Sequence, residues 1–249
     1  MSVILAVDTS SKFSSLAIRD SNGVIHQKET LSTNSHDEDL SELTNQMLKD
    51  LSLRFSDLEY VLVGSGPGSF TGLRIGFSFL KGLAIALKIP LRVYSTFAAV
   101  AVANIEIGIP ILAVADARRN EWFVQSFISN NESELLNLSE LQILDTMMLA
   151  SLIRETAKPT AMLCCSEKVN LNSELVDFDN SDSKSFLIEN LSRVDFCKIA
   201  KGLILLDQIS YSQENKESSN FELELSSASP LYLRKVAAKT IAERQASKD

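Results

Sequence analysis

The stretch YVLVGSGPGSFTGLRIG, residues 60–76, constrains the fold more than any other part of this 249-residue chain. It opens with an apolar run of strand length and closes with a helical pattern, with no linker between them. Glycines 64, 66 and 68 around Pro67 let the chain turn sharply off its strand, because they accept backbone angles that a Cβ resists. Ser69 or Thr71 can cap the helix that follows. A strand delivered this abruptly into a helix belongs to an α/β layer arrangement.

Three catalytic readings of the glycines fail on spacing. A Walker loop needs Lys and Ser or Thr after its last glycine, and Gly72 is followed by Leu73 and Arg74. A dinucleotide fingerprint needs G-x-G-x-x-G, and Gly66, Gly68 and Gly72 have one residue too many. A nucleophile elbow needs Ser at the centre of G-x-S-x-G, where this chain has Phe70. Two readings stay open: turn and cap geometry, or an anion held at the helix start. The residues for the second are Gly66, Gly68 and Ser69, with Asp8, Thr9 and Ser10 from the end of the first strand.

The rest of the chain supports alternating strands and helices. VILAV, FSSLAIRD and GVIHQKET form a three-strand meander, the last two strands joined by a two-residue turn at Asn22-Gly23. A helix over 36–51 starts at a capping box of Ser35 and Glu38 and carries Leu40, Leu43, Met47 and Leu51 on one face. After the glycine helix, Pro90, the strand LRVY and a helix capped by Ser95 complete a first lobe, residues 1–107. IPILAVADARRNEWFVQSFI restarts the strand-turn-strand pattern and opens a second lobe, residues 108–235. That lobe reads as helices near 144–155 and 184–207 around a strand at TAMLCC, an irregular polar loop over 208–229 and a closing strand PLYLRK. Residues 236–249 read as a polar helical tail.

The helix after the glycines is apolar over most of its circumference, with Arg74, Ser78, Lys81 and Lys88 on one narrow stripe. Such a helix needs cover on more than one side. Gly72, Gly76 and Gly82 each cost about 1 kcal/mol relative to Ala in a helix, and close approach of another backbone explains them. Either the other helices of the chain supply all the cover, or an apolar strip is left for a partner.

Composition narrows the chemistry. With 24 basic against 32 acidic residues and a formal charge of −8, the chain lacks a broad positive footprint for nucleic acid. Its 2 histidines, His26 and His36, offer no H-E-x-x-H or i,i+4 pair, so no metal site is expected. Cys164, Cys165 and Cys197 show no C-x-x-C spacing and read as buried thiols of a cytoplasmic protein. No apolar run approaches the ~18 residues of a membrane span. Asp8-Thr9-Ser10-Ser11 resembles the phosphate corner of actin and the sugar kinases, but reads more simply as a plain Asx or Ser turn that needs no ligand.

ILAVDTS, VGSGPGSFTGLRIG, KGLAIALKIP, DARRNEWF and PLYLR, in that order, resemble the TsaB (YeaZ) family of tRNA threonylcarbamoyladenosine biosynthesis proteins. The likeness runs from residue 3 to about 234 and is faint over 130–228. It implies an α/β, actin-like ATPase (ASKHA, RNase H-like) fold: two lobes with mixed sheets flanked by helices, the second abbreviated. It also implies a scaffold without catalytic residues, metal or cofactor. Family members bind the catalytic TsaD, work with the ATPase TsaE and with TsaC, form a homodimer when TsaD is absent, and meet tRNA only within the complex. The docking surface carried over comprises Leu40, Leu43, Met47 and Leu51 with Gly72, Ile75, Gly76, Phe79 and Leu83. Departures are Asp37 in place of the usual Ser after His36, a missing proline further along that helix, Asn120 where a glycine is usual, and the polar insertion before Pro230. The competing expectation is an autonomous nucleotide-dependent phosphotransferase using Asp8 and the glycine turn. ATP and Mg²⁺ binding by the isolated chain would separate the two.

Overall fold

Side-chain alternation along the first strand sets the layers. β1 (Ile4–Asp8) is buried throughout, sending Ile4 and Ala6 to one face and Leu5 and Val7 to the other. A strand apolar on both faces needs a covering layer on each side. The computed structural model describes residues 1–11, 13–31, 36–104, 108–131, 134–155, 161–164, 197–211 and 229–230. In chain order β1 is followed by β2 (Phe13–Arg19), β3 (Ile25–Leu31), α1 (His36–Asp50), β4 (Tyr60–Gly64), α2 (Phe70–Leu87), β5 (Leu91–Tyr94) and α3 (Thr96–Ala103). Then come β6 (Ile111–Arg118), β7 (Glu121–Asn131), β8 (Glu134–Asn137), β9 (Gln142–Asp145), α4 (Thr146–Glu155), β10 (Ala161–Cys164), α5 (Cys197–Leu206) and β11 (Ser210–Tyr211).

The first sheet has order β3-β2-β1-β4-β5, with β1 antiparallel to β2 and parallel to β4. The second runs β10-β6-β7-β8-β11, with β9 also on β7. Leu5, Val7, Leu16, Ile18, Val61 and Val63 meet α1 and α2 on the outer face of the first sheet. Ile4, Ala6, Ala17 and Leu62 meet α3 and α5, and one continuous core passes on to Ile111, Ala113, Ala115 and Phe127 of the second sheet. Leu112, Val114, Trp122 and Val124 turn the other way, towards Leu149 of α4. The layers are therefore α1/α2, first sheet, α3/α5, second sheet, α4, the mixed α/β arrangement of the actin-like fold.

α5 ties the layers together. It comes from the second half of the chain yet packs against β1, β2, β3 and α3. Its crossing with α3 is so close that a Cβ on Gly202 would overlap the Ala99 carbonyl. The division at residue 107 thus separates two sheets and leaves one core shared between them.

Several expectations need revision. The β2–β3 connection is longer than two residues: Asp20 and Val24 pair at 3.0 Å around Ser21-Asn22-Gly23, with Gly23 at φ +88. That is the three-residue hairpin, with glycine supplying the left-handed position. β8 and β9 are strands of four residues that the sequence reading did not assign, and β11 occupies the start of the expected polar loop. The capping box at Ser35, the helix over 184–196, the strand PLYLRK beyond Pro230 and the tail over 236–249 lie outside the described residues.

At the end of α5, Asp207 accepts hydrogen bonds from Tyr60 Oη at 2.7 Å, Tyr94 Oη at 2.8 Å and Arg92 Nη1 at 2.9 Å. Arg92 also stacks over the Tyr60 ring at 4.2 Å. A carboxylate at a helix C-terminus opposes the helix dipole, so these partners on β4 and β5 must outweigh that repulsion. Burial, together with the Asp207 carboxylate, pushes the Tyr60 phenol up to about 12, and Tyr94 moves the same way. A phenol held protonated in the fold but free to ionise near pH ~10 when unfolded stabilises fully below that pH. Stability then declines as the pH climbs towards Tyr60's raised value, because only the unfolded chain has released the proton. Melting temperatures above pH ~9 should fall less steeply in Tyr60→Phe than in the parent; identical slopes would contradict this role.

Candidate functional site

Two features bear on function: the corner where β1 ends and the outward face of α2. At the corner, Asp8 is 1% exposed. Its Oδ1 accepts from Ser10 N at 2.9 Å and Ser10 Oγ at 2.6 Å, and its Oδ2 accepts from Thr96 Oγ1 at 2.6 Å. Thr96 Oγ1 in turn accepts from Gly66 N at 3.0 Å. Burial raises the Asp8 carboxyl above its usual range, opposed by the hydrogen bonds from Ser10 and Thr96. Thr9 Oγ1 donates to the Gly72 carbonyl at 2.6 Å, and Ser69 N donates to the Ser10 carbonyl at 2.6 Å. Ser69 Oγ accepts from Gly72 N at 3.1 Å, so it caps its own helix.

Asp8, Thr9, Ser10, Gly66, Gly68 and Ser69 are the residues of the possible anion turn, against which stood plain turn and cap geometry. The structure does assemble them, but as a packed joint. A Cβ on Gly64 would overlap the Asp8 carboxylate, one on Gly68 would strike Ser10, and ones on Gly72 and Gly76 would strike Thr9. The glycines clear room for the β1–β2 turn, and the turn's own polar groups point into the joint. The Asp8 carboxylate that the alternative phosphotransferase would use is buried and taken up by Ser10 and Thr96.

The proposed docking residues divide in the same way. Leu40, Leu43 and Met47 lie in the core against the first sheet, which removes them from a docking face. The apolar stripe of α1 is satisfied by its own sheet. Gly72 and Gly76 are also corrected, since the backbone approaching them belongs to Thr9 of the same chain. Leu51, Ile75, Phe79 and Leu83 are half-buried at the edge of that core. On α2 the buried side is Leu73, Phe77, Leu80 and Ala84. Its outward side adds two residues absent from the expected set, Phe70 at 45% and Ile85 at 59% exposure. The apolar circumference of α2 was the signal for both; only the packing shows which part stays uncovered. Phe70 lies beneath the Arg74 guanidinium at 4.0 Å.

By length and composition α2 alone among the described helices could cross a membrane, although no unbroken apolar run suggests it. Phe77, Leu80 and Ala84 instead pack it onto a sheet. Among the described residues no group of three or more His, Cys, Asp or Glu is placed to hold a metal.

Order, register and layers define an actin-like α/β protein whose β1–β2 turn is packed against its own glycine turn. Residues 21–148, more than half of the chain, match the model of the family described as TsaD: tRNA N6-adenosine threonylcarbamoyltransferase, and the chain belongs to that family. Relatives named TsaB or YeaZ are among the proteins it is similar to. TsaB of Bacillus subtilis is 28% identical over 188 residues, covering 74% of this chain and 79% of that one. An uncharacterised protein of Mycobacterium tuberculosis is 37% identical over 125 residues, covering 49% of this chain and 58% of its own length. The solved structure of YeaZ from Pseudomonas aeruginosa superposes with a TM-score of 0.53 at 27% identity, covering 64% of this chain and 71% of that one.

Proposed function

We propose that the chain is a scaffold subunit for the N6-threonylcarbamoyl modification of tRNA, docking on a TsaD-like catalytic subunit through the outward face of α2. The observation carrying this reading is the outward side of α2, where Phe70 and Ile85 are exposed and Ile75, Phe79 and Leu83 are only half-buried at the rim of the core. Large apolar side chains left exposed or only half-covered on a surface helix mark an interaction surface. At about 1.5–3 kcal/mol for fully covering an exposed side chain, and less for the three already half-buried, this side offsets part of the ~4–15 kcal/mol that association costs. The family relationship supplies the partner's kind, and the sealed Asp8 corner supports a role without chemistry of its own. Under this reading the chain acts in the cytoplasm, pairs with itself when the catalytic subunit is absent, works alongside a TsaE-like ATPase, and reaches tRNA only through the complex.

The test is Ile75→Asp with Phe79→Asp in one chain. Both positions are half-buried at the rim, so the fold should survive, as judged by an unchanged circular dichroism spectrum and a cooperative melt. Complex formation with the purified TsaD-like subunit, followed by analytical ultracentrifugation, should be lost. A folded double variant that still co-sediments would overturn the docking surface.

A further inference from the structure

We propose that Asn22 is a self-modification site, converted with water to aspartate and isoaspartate through attack by its own backbone, and that Asp20 locks this reaction while the chain is folded. Asn22-Gly23 is the only Asn-Gly pair in the sequence. With no side chain, the glycine does not hinder approach to its backbone nitrogen. In the reaction the Gly23 nitrogen bonds to Cγ of Asn22 and gives up its proton. The Cγ–Nδ2 bond breaks, and the carboxamide nitrogen leaves with that proton as ammonia. Water then opens the five-membered imide at either carbonyl, leaving aspartate or isoaspartate at position 22. One water is consumed, one ammonia is released, and no oxidant is needed.

The β2–β3 turn presents the target and restrains the nucleophile. Asn22 is exposed, and among the described residues its side-chain amide has no hydrogen-bond partner. Gly23 N, by contrast, donates to the Asp20 carbonyl at 3.0 Å. It cannot release its proton and swing towards Cγ until the turn opens locally. The Asp20 side chain opposes that opening. Its Oδ1 accepts from Asn22 N and Val24 N, each at 2.9 Å, and its Oδ2 pairs with His26 Nε2 at 3.1 Å. Asp20 N also donates to the Val24 carbonyl at 3.0 Å. A carboxylate gathering backbone N–H groups from the residues after it is an Asx clamp, strengthened here by its charge. The unfolded chain has none of these restraints. Isoaspartate adds a carbon to the main chain inside the turn, next to the Arg19–Ile25 pair of the β2–β3 ladder. Ile25 leans on the core shared by the two sheets, and α5 packs against β3. The reaction therefore marks chains that have spent time unfolded and loosens the hairpin of those that refold.

The experiment incubates the full chain at neutral pH, folded and in urea, and follows Asn22 by peptide mapping with mass spectrometry, isoaspartate being resolved by chromatography. Conversion in the folded parent should be at least about tenfold slower than in urea. Folded Asp20→Ala, normalised to its own rate in urea, should convert at least about fivefold faster than the parent, with the other asparagines unchanged. Equal rates in the folded and unfolded parent would overturn the lock, and parental protection in folded Asp20→Ala would overturn the part assigned to Asp20. Absence of isoaspartate at position 22 in urea would overturn the site itself. Should Asp20→Ala fail to melt cooperatively, hydrogen exchange of the Gly23 amide in the parent decides the matter. Protection of at least about tenfold over the unfolded chain supports the lock, and exchange at the unfolded rate contradicts it.

Discussion

Asp207→Ala is expected to lower the free energy of unfolding by about 3 kcal/mol and the melting temperature by roughly 6–12 °C. The carboxylate is 3% exposed and accepts from two phenols and a guanidinium. Hydrogen bonds to a charged group contribute about 1.5–3 kcal/mol each, and donors left in place without their acceptor must be rehydrated or remain unpaired. The full sum is not expected, because the Arg92 side chain is 40% exposed and can turn to water. Asp207→Asn keeps one acceptor oxygen and should lose less than the alanine. Urea titrations followed by circular dichroism measure both; a loss below about 1 kcal/mol for the alanine would show that α5 is held by its apolar side chains alone.

Two glycines of α2 should respond with opposite signs to the same substitution. Gly72→Ala directs a methyl group into the Thr9 carbonyl, which is backbone and cannot swing aside. Overpacking of this kind costs about 1–3 kcal/mol, well above the small helical benefit at a first-turn position. A drop of roughly 4–8 °C in melting temperature is expected. Gly82→Ala meets nothing within 4 Å and faces outward, so it should gain about 1 kcal/mol of helix propensity and melt a few degrees higher. If both variants move in the same direction, the packing of α2 on the β1–β2 turn is misdescribed.

The difference between these glycines shows how far the sequence could be read. Local signals carried the first sheet: the alternation of β1 and β2, the passage of β4 into α2, and the Ser95 cap of α3 all depend on residues close in the chain. β8 and β9, at four residues each, are too short for alternation to stand out, and they form because β7 offers an open edge. The polarity of residues 208–229 concealed β11, which exists through pairing with β8. The site was half legible. The circumference of α2 announced a helix needing more cover than one sheet provides. It could not show that Leu40, Leu43 and Met47 spend the apolar stripe of α1 on that same sheet, or that Gly72 and Gly76 accommodate Thr9. Both are facts about which surfaces meet, and no pattern within a single helix encodes them.

The placement of α5 between the sheets has a consequence for synthesis on the ribosome. β1, β2 and β4 leave the exit tunnel early, but the helix that completes the cover of their inner face ends only at Leu206. Until it emerges, the nascent half-molecule has a wet apolar surface and is open to aggregation or chaperone capture. A stop codon or pause between Tyr94 and Cys197 therefore leaves the inner face of the first sheet without this helix, even though every strand of that sheet has already been made.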